Sequence, residues 1–151
     1  MSLSSSEVRW RDALEASMKD FLSAYPAGAA DELYDPIHYL LSLGGKRIRP
    51  VLALAACEAE AGAFDAATPA AMAVELFDDF TLMHDDIMDE APLRRGRPTV
   101  HTKWSENAAL LSGDVMYTLA LMALEGTPSE ALADVLRMFN VTSKEVCEGQ
   151  Q

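Results

Sequence analysis

The run Asp85-Asp86-Ile87-Met88-Asp89 places three carboxylates within five residues. On a helix, residues four apart stack on one face and a residue seven away continues the stripe. Asp85 and Asp89 would then face the same way, with Asp78 two turns earlier on the same stripe. Asp86 would sit about 100° around from Asp85. Like charges at this spacing destabilise a bare helix, and near its C-terminus they also oppose the helix dipole. A cation relieves both penalties. Mg²⁺ suits the donors: it is hard, takes oxygen ligands, and is commonly held by one or two carboxylates plus phosphate oxygens. Asp85, Asp86 and Asp89 are therefore candidate metal ligands. Leu76, Phe77, Phe80, Leu82, Met83, Ile87 and Met88 surround them with apolar surface, so the acids are expected to line a cavity and not a solvated face.

Two short basic segments complement the acids. Gly44-Gly45-Lys46-Arg47-Ile48-Arg49-Pro50 holds three cations and Arg94-Arg95-Gly96-Arg97 holds three more, together half of the 12 Lys and Arg in a chain of net charge −12. A chain this acidic repels polynucleotides, which sets nucleic-acid binding aside. Local cation clusters within it point to small anion sites. Glycines such as Gly45 let the backbone approach an anion, Lys46 supplies a point charge, and Arg49, Arg94 and Arg95 supply forks for phosphate oxygens. Carboxylates, metal and two basic segments together describe a diphosphate site, one part bridged by Mg²⁺ and one held by cations alone.

These groups must be carried by helices. Of the 151 residues, 50% are hydrophobic, enough for a real core, and the periodicity is helical throughout, with no strand of useful length. A first helix is expected from Ser4 to about Ala24. A second follows Asp35-Pro36, read as an N-cap with proline at the first position, and stops at Gly44-Gly45. A third runs from about Arg49-Pro50 to Ala61. Thr68-Pro69, read as a cap followed by proline, opens a long fourth helix from Ala70 to about Glu90, Arg94 to Pro98 forms a loop, and helices follow from Asn107 to Leu124 and from about Ser129 onward. The expected fold is an all-α antiparallel bundle. Cys57 and Cys147, without CxxC spacing, read as buried free thiols in a reducing, cytoplasmic setting. The longest apolar run, Val51 to Cys57, is too short for a membrane span, and early charges such as Glu7 and Arg9 argue against a signal peptide. The last helix lacks a stop signal, so residues 1–151 are expected to be the amino-terminal part of one domain, the remainder missing.

The motifs resemble those of the trans-isoprenyl diphosphate synthases. Gly44 to Pro50 looks like the family's GGKRxRP, and Asp85 to Asp89 with Arg94-Arg95-Gly96 looks like its first aspartate-rich motif. Leu111-Ser112-Gly113-Asp114 and Glu148-Gly149-Gln150 are similar to further family segments. Class I terpene cyclases share the aspartate motif but lack GGKRxRP; a non-catalytic subunit of the same fold stays open as an alternative. The resemblance implies the isoprenoid synthase fold, about half of it present, and a homodimer. It implies Mg²⁺-dependent condensation of isopentenyl diphosphate with an allylic diphosphate. By position, Asp85 and Asp89 would bind Mg²⁺ with Asp86 assisting, Arg94 would hold the allylic diphosphate, and Lys46, Arg49 and Arg95 would hold isopentenyl diphosphate. Asp78 stands where the family often has a His that touches isopentenyl diphosphate. Phe80 and Thr81 stand where the family limits chain length, and imply products of about fifteen to twenty carbons. The second aspartate-rich motif would lie beyond Gln151, so the 151-residue chain alone is expected to be inactive.

Overall fold

A computed structural model describes residues 5–28 and 33–150. Among the described residues, seven α-helices follow in chain order: α1 (Ser5–Leu22), α2 (Tyr34–Ser42), α3 (Ile48–Ala61), α4 (Thr68–Met88), α5 (Val100–Lys103), α6 (Glu106–Leu124) and α7 (Ser129–Gly149). A 3₁₀ turn, Asp65–Ala67, leads into α4. The expected start of the first helix at Ser4 lies outside the described residues. Among the described residues the bundle is all-α, as the periodicity indicates, except for one short hairpin, β1 (Leu93–Arg94) antiparallel to β2 (Arg97–Pro98).

Helix α4 is the centre. It packs most extensively on α6, then on α3, with α1 and α7 also against it. Its Ala71, Ala73 and Leu76 are fully buried, and Leu14, Leu40, Leu54, Met116 and Leu119 close the core around it. The crossing with α6 is tight: a Cβ on Gly113 would overlap the His84 imidazole, so glycine is what lets these helices meet there. Helix α6 is long and apolar enough to cross a membrane by length and composition alone, and half of that stretch is buried inside the bundle. Helix α7 is mostly exposed; Phe139 and Ser143 are its buried residues, and Phe139 meets Phe77 edge-on with ring centroids 5.6 Å apart.

Several local expectations need correction. Asp35 does not cap α2: the helix starts one residue before it, and its carboxylate accepts from the Gly28 N–H at 2.8 Å. Thr68 lies inside α4, whose cap position is Ala67 with no side-chain hydrogen bond. The turn that precedes the helix, through the Gly28 N–H seven residues earlier, takes the Asp35 oxygen that patterning assigned to a cap. Cys147 is exposed, whereas Cys57 is half-buried and donates its thiol to the Ala63 carbonyl; both are free. Helix α4 ends at Met88, earlier than expected, in a Schellman turn: Ala91 N–H donates to the Asp86 carbonyl and Glu90 N–H to that of Ile87. Glu90 takes the left-handed conformation (φ 50°) that such a turn demands.

Candidate metal and diphosphate site

Helix α4 carries two acidic stripes, one more than its DDxxD run announces. Glu75, Asp79 and Asp86 repeat at four and seven residues, and all three are buried. Asp78, Asp85 and Asp89 repeat at seven and four, about 100° around the helix; Asp78 and Asp85 are half-buried and Asp89 is exposed. A carboxylate taken out of water needs a charged or hydrogen-bonding partner. The two basic segments supply those partners.

The loop between α2 and α3 is pinned by Arg47. Its guanidinium, 8% exposed, pairs with Glu75 and with Asp79 Oδ2 at 3.2 Å, and donates to the Leu41 carbonyl at the end of α2. Burial works against Arg47's charge, but Glu75 and Asp79 outweigh it and raise its pKa. Burial, and then the neighbouring Glu75, push the Asp79 carboxyl up to about 6, with Arg47 opposing. Arg47 itself sits in the left-handed region (φ 51°) at the N-cap of α3, and Gly44 before it does too (φ 72°). These two turns set the path of Gly45, Lys46 and Arg49. A Cβ on Gly45 would stand 3.2 Å from Arg95 Nη2 and 3.5 Å from Arg47 Nη1, so the bare backbone admits two guanidinium groups. Arg49 donates to Asp78 Oδ2 at 2.8 Å.

The second basic segment is a hairpin and not the featureless loop expected. Arg95 (φ 52°) and Gly96 (φ 76°) both take left-handed conformations at its tip, the signature of a two-residue type I′ turn. Arg94 reaches back to α4 and donates Nε to Asp86 Oδ2 and Nη2 to Asp86 Oδ1, each at 2.8 Å. Both oxygens of Asp86 are therefore engaged by Arg94. The hydrogen bonds to Asp86 raise the Arg94 pKa against the penalty of burial. Lys46 and Arg95 make no ion pair among the described residues.

The basic segments meet in space although some fifty residues separate them. One cavity of 570 Å³ is lined by Gly45, Lys46, Arg49, Asp78, Arg94 and Arg95, together with Arg47 and Glu75. A second, of 560 Å³, runs between α4 and α7. Its walls are mostly apolar, among them Val74, Phe77, Leu124, Val135, Phe139 and Val146, and Asp85, Asp78 and Arg49 are its charged lining. Thr81 lines this cavity. Phe80 is not among its walls; it packs against Phe77, His84 and Tyr117.

Asp85 receives a hydrogen bond from Gln150 Nε2 at the far end of α7. Burial, and then Asp89, raise its pKa, while Gln150 opposes the shift. Two repelling carboxylates one turn apart fit a hard divalent cation. Among the described residues no three His, Cys, Asp or Glu side chains form a group that could hold a metal by themselves. An ion on Asp85 and Asp89 would complete its shell with phosphate oxygens or water, the habit of Mg²⁺.

Glu75 and Asp79 are neighbours of the site that lie outside the quoted motifs, while Arg47 and Gln150 lie within them but were given no partner there. The spacing of four between Glu75 and Asp79, repeating that of Asp85 and Asp89, is the signal the sequence does carry. An acidic pair on a helix otherwise rich in apolar residues calls for a buried cation.

An all-α bundle with an aspartate-bearing central helix facing a basic cavity and an apolar one defines an isoprenoid synthase fold. The polyprenyl synthetase family model matches residues 30–151, and the chain belongs to that family. It is 45% identical over 128 residues to a geranylgeranyl diphosphate synthase of Methanosarcina mazei, covering 83% of this chain and 39% of that protein. It is 43% identical over 121 residues to a short chain isoprenyl diphosphate synthase of Methanocaldococcus jannaschii, covering 80% and 37%. A solved geranylgeranyl pyrophosphate synthetase from Pyrococcus horikoshii superposes with a TM-score of 0.88 at 35% identity, covering 96% of this chain and 45% of that one. The chain thus spans about two-fifths of the length of the curated relatives it matches.

Proposed function

We propose that residues 1–151 are the amino-terminal part of a single prenyl synthase domain that condenses isopentenyl diphosphate with an allylic diphosphate. The observation that carries this reading is the lining of the basic cavity: Gly45, Lys46, Arg49, Asp78, Arg94 and Arg95, from separate segments, share one wall system beside an apolar cavity that holds Asp85. In this reading the allylic tail lies in the apolar cavity and its diphosphate faces Asp85 and Asp89. Asp85 and Asp89 would hold Mg²⁺, whose charge would offset that of the leaving diphosphate.

The chain's own residues bind and shield the substrates in this reading. Arg94, docked on Asp86, turns the hairpin toward the allylic diphosphate. Lys46, Arg49 and Arg95 hold isopentenyl diphosphate without metal. Phe77, Leu124, Val135 and Phe139 keep water from a cationic intermediate. Thr81 bounds the tail, in keeping with short-chain products; Phe80 acts one layer behind, through Phe77. Assembly as a homodimer belongs to the same proposal.

Calorimetry of the chain with farnesyl thiodiphosphate tests it. Binding is expected to need Mg²⁺ and to weaken at least roughly tenfold in Asp85→Ala, the loss of one metal-bridged contact. Binding that is indifferent to both Mg²⁺ and Asp85 would overturn the reading.

A further inference from the structure

The Arg49–Asp78 pair stands where the two cavities adjoin. Arg49, Asp78 and Leu82 line both of them, and Arg49 Nη1 lies 2.8 Å from Asp78 Oδ2. The partners differ in freedom. Asp78 is fixed in the middle of α4 with its side chain 23% exposed, whereas Arg49, on the first turn of α3, is 67% exposed. A guanidinium largely in solvent exchanges one oxygen partner for another at little cost. Arg49 is therefore the partner that can turn.

The other acids beside the basic cavity are held differently. Glu75 and Asp79 share the buried Arg47, and Asp86, buried, accepts from Nε and Nη2 of Arg94. Arg47, Arg94 and Arg49 all line the space an anion would enter, but only Asp78 has a counter-ion that is largely exposed, Arg49 at 67% against 8% for Arg47 and 22% for Arg94. A carboxylate at that place also repels an anion directly.

We infer that Asp78 is a displaceable internal counter-ion, a positioning residue that competes with an incoming diphosphate for Arg49 and so sets the anion affinity of the basic cavity below what its cations alone would give. This rests on the anion-binding reading of that cavity. When an anion enters, Arg49 turns from Asp78 toward it, and the common wall of the two cavities changes partners.

The test is metal-free calorimetry of the 151-residue chain with inorganic pyrophosphate at fixed ionic strength. Asp78→Asn is expected to bind roughly three- to tenfold tighter than wild type, the scale of one partly exposed charge removed beside a multivalent anion. Asp78→Glu keeps the carboxylate and is expected to stay within about twofold of wild type. In an Arg49→Met background, Asp78→Asn should tighten binding less than it does beside Arg49. A merely structural role predicts weaker binding in Asp78→Asn, so the sign of the change is diagnostic. Unchanged or weaker binding by Asp78→Asn, or an equal gain with and without Arg49, overturns the competition while leaving the anion site standing. If neither wild type nor any variant binds pyrophosphate, the anion-site reading itself falls and this inference falls with it.

Discussion

Arg94 clasps Asp86 through two parallel hydrogen bonds of 2.8 Å, tying strand β1 of the hairpin to the last turn of α4. The Asp86 side chain is 4% exposed and that of Arg94 is 22% exposed. The pair thus serves architecture: the second aspartate of the motif orients the arginine that follows it. Removing one partner leaves a buried charge uncompensated. Asp86→Ala is expected to destabilise the fold by about 2–4 kcal/mol. Asp89→Ala, at an exposed position, should change stability by less than about 0.5 kcal/mol. Urea denaturation of both variants checks this; equal losses would mean that Arg94 does not depend on Asp86.

The buried trio of Arg47, Glu75 and Asp79 holds two carboxylates against one guanidinium. The Asp79 pKa, raised from 3.8 to about 6, means that the folded chain binds its proton more tightly than the unfolded chain does. Stability from this group is fully present below pH 4 and is lost as pH rises through about 6. The scale is about 3 kcal/mol at most, since a tenfold change in proton affinity is worth about 1.36 kcal/mol. Asp79→Asn should therefore stabilise the protein relative to wild type at pH 7.5 and lose that advantage at pH 4. Thermal melts at the two values measure it, and a pH-independent difference would contradict the assignment.

Glu90 occupies the position of the α4 Schellman turn that glycine normally fills, at φ 50°. A β-carbon in this conformation costs about 1 kcal/mol, and an acid past a helix C-terminus opposes the dipole. Glu90→Gly is expected to stabilise the chain by about 0.5–1 kcal/mol after the entropy of glycine is counted. Equilibrium unfolding would show it as a higher denaturant midpoint with an unchanged slope.

Phe77 and Thr81 face the apolar cavity, whereas Phe80 packs against Tyr117 and His84. Phe77→Leu should raise the affinity for a twenty-carbon over a fifteen-carbon prenyl thiodiphosphate by roughly fivefold, since each methylene newly buried contributes about 0.8 kcal/mol before losses. Phe80→Leu should shift that ratio less. Competitive calorimetry with the two analogues decides, and a larger shift from Phe80 would return the chain-length role to it.

Local sequence determined much of this protein. Apolar spacing defined the long helices, Gly44 and Gly62 ended α2 and α3 through the left-handed conformation they adopt readily, and the interval between Asp85 and Asp89 put both on one face of α4. These features follow from helix geometry and backbone sterics, which act over a few residues. The hairpin is nearly silent in the sequence because its strands are two residues each and only the Arg95-Gly96 turn betrays it. Which arginine meets which acid was a different matter. Arg47 and Arg49 are close neighbours in the chain, and Asp78 and Asp79 are adjacent; a rotation of about 100° separates a buried tether from an exposed, exchangeable pair. Only the packing of α3 and the hairpin onto α4 decided that Arg47 enters the core with Glu75 and Asp79 while Arg49 stays at the junction of the cavities with Asp78. Charge pairing depends on distances across the fold, and those exist only after the helices have docked.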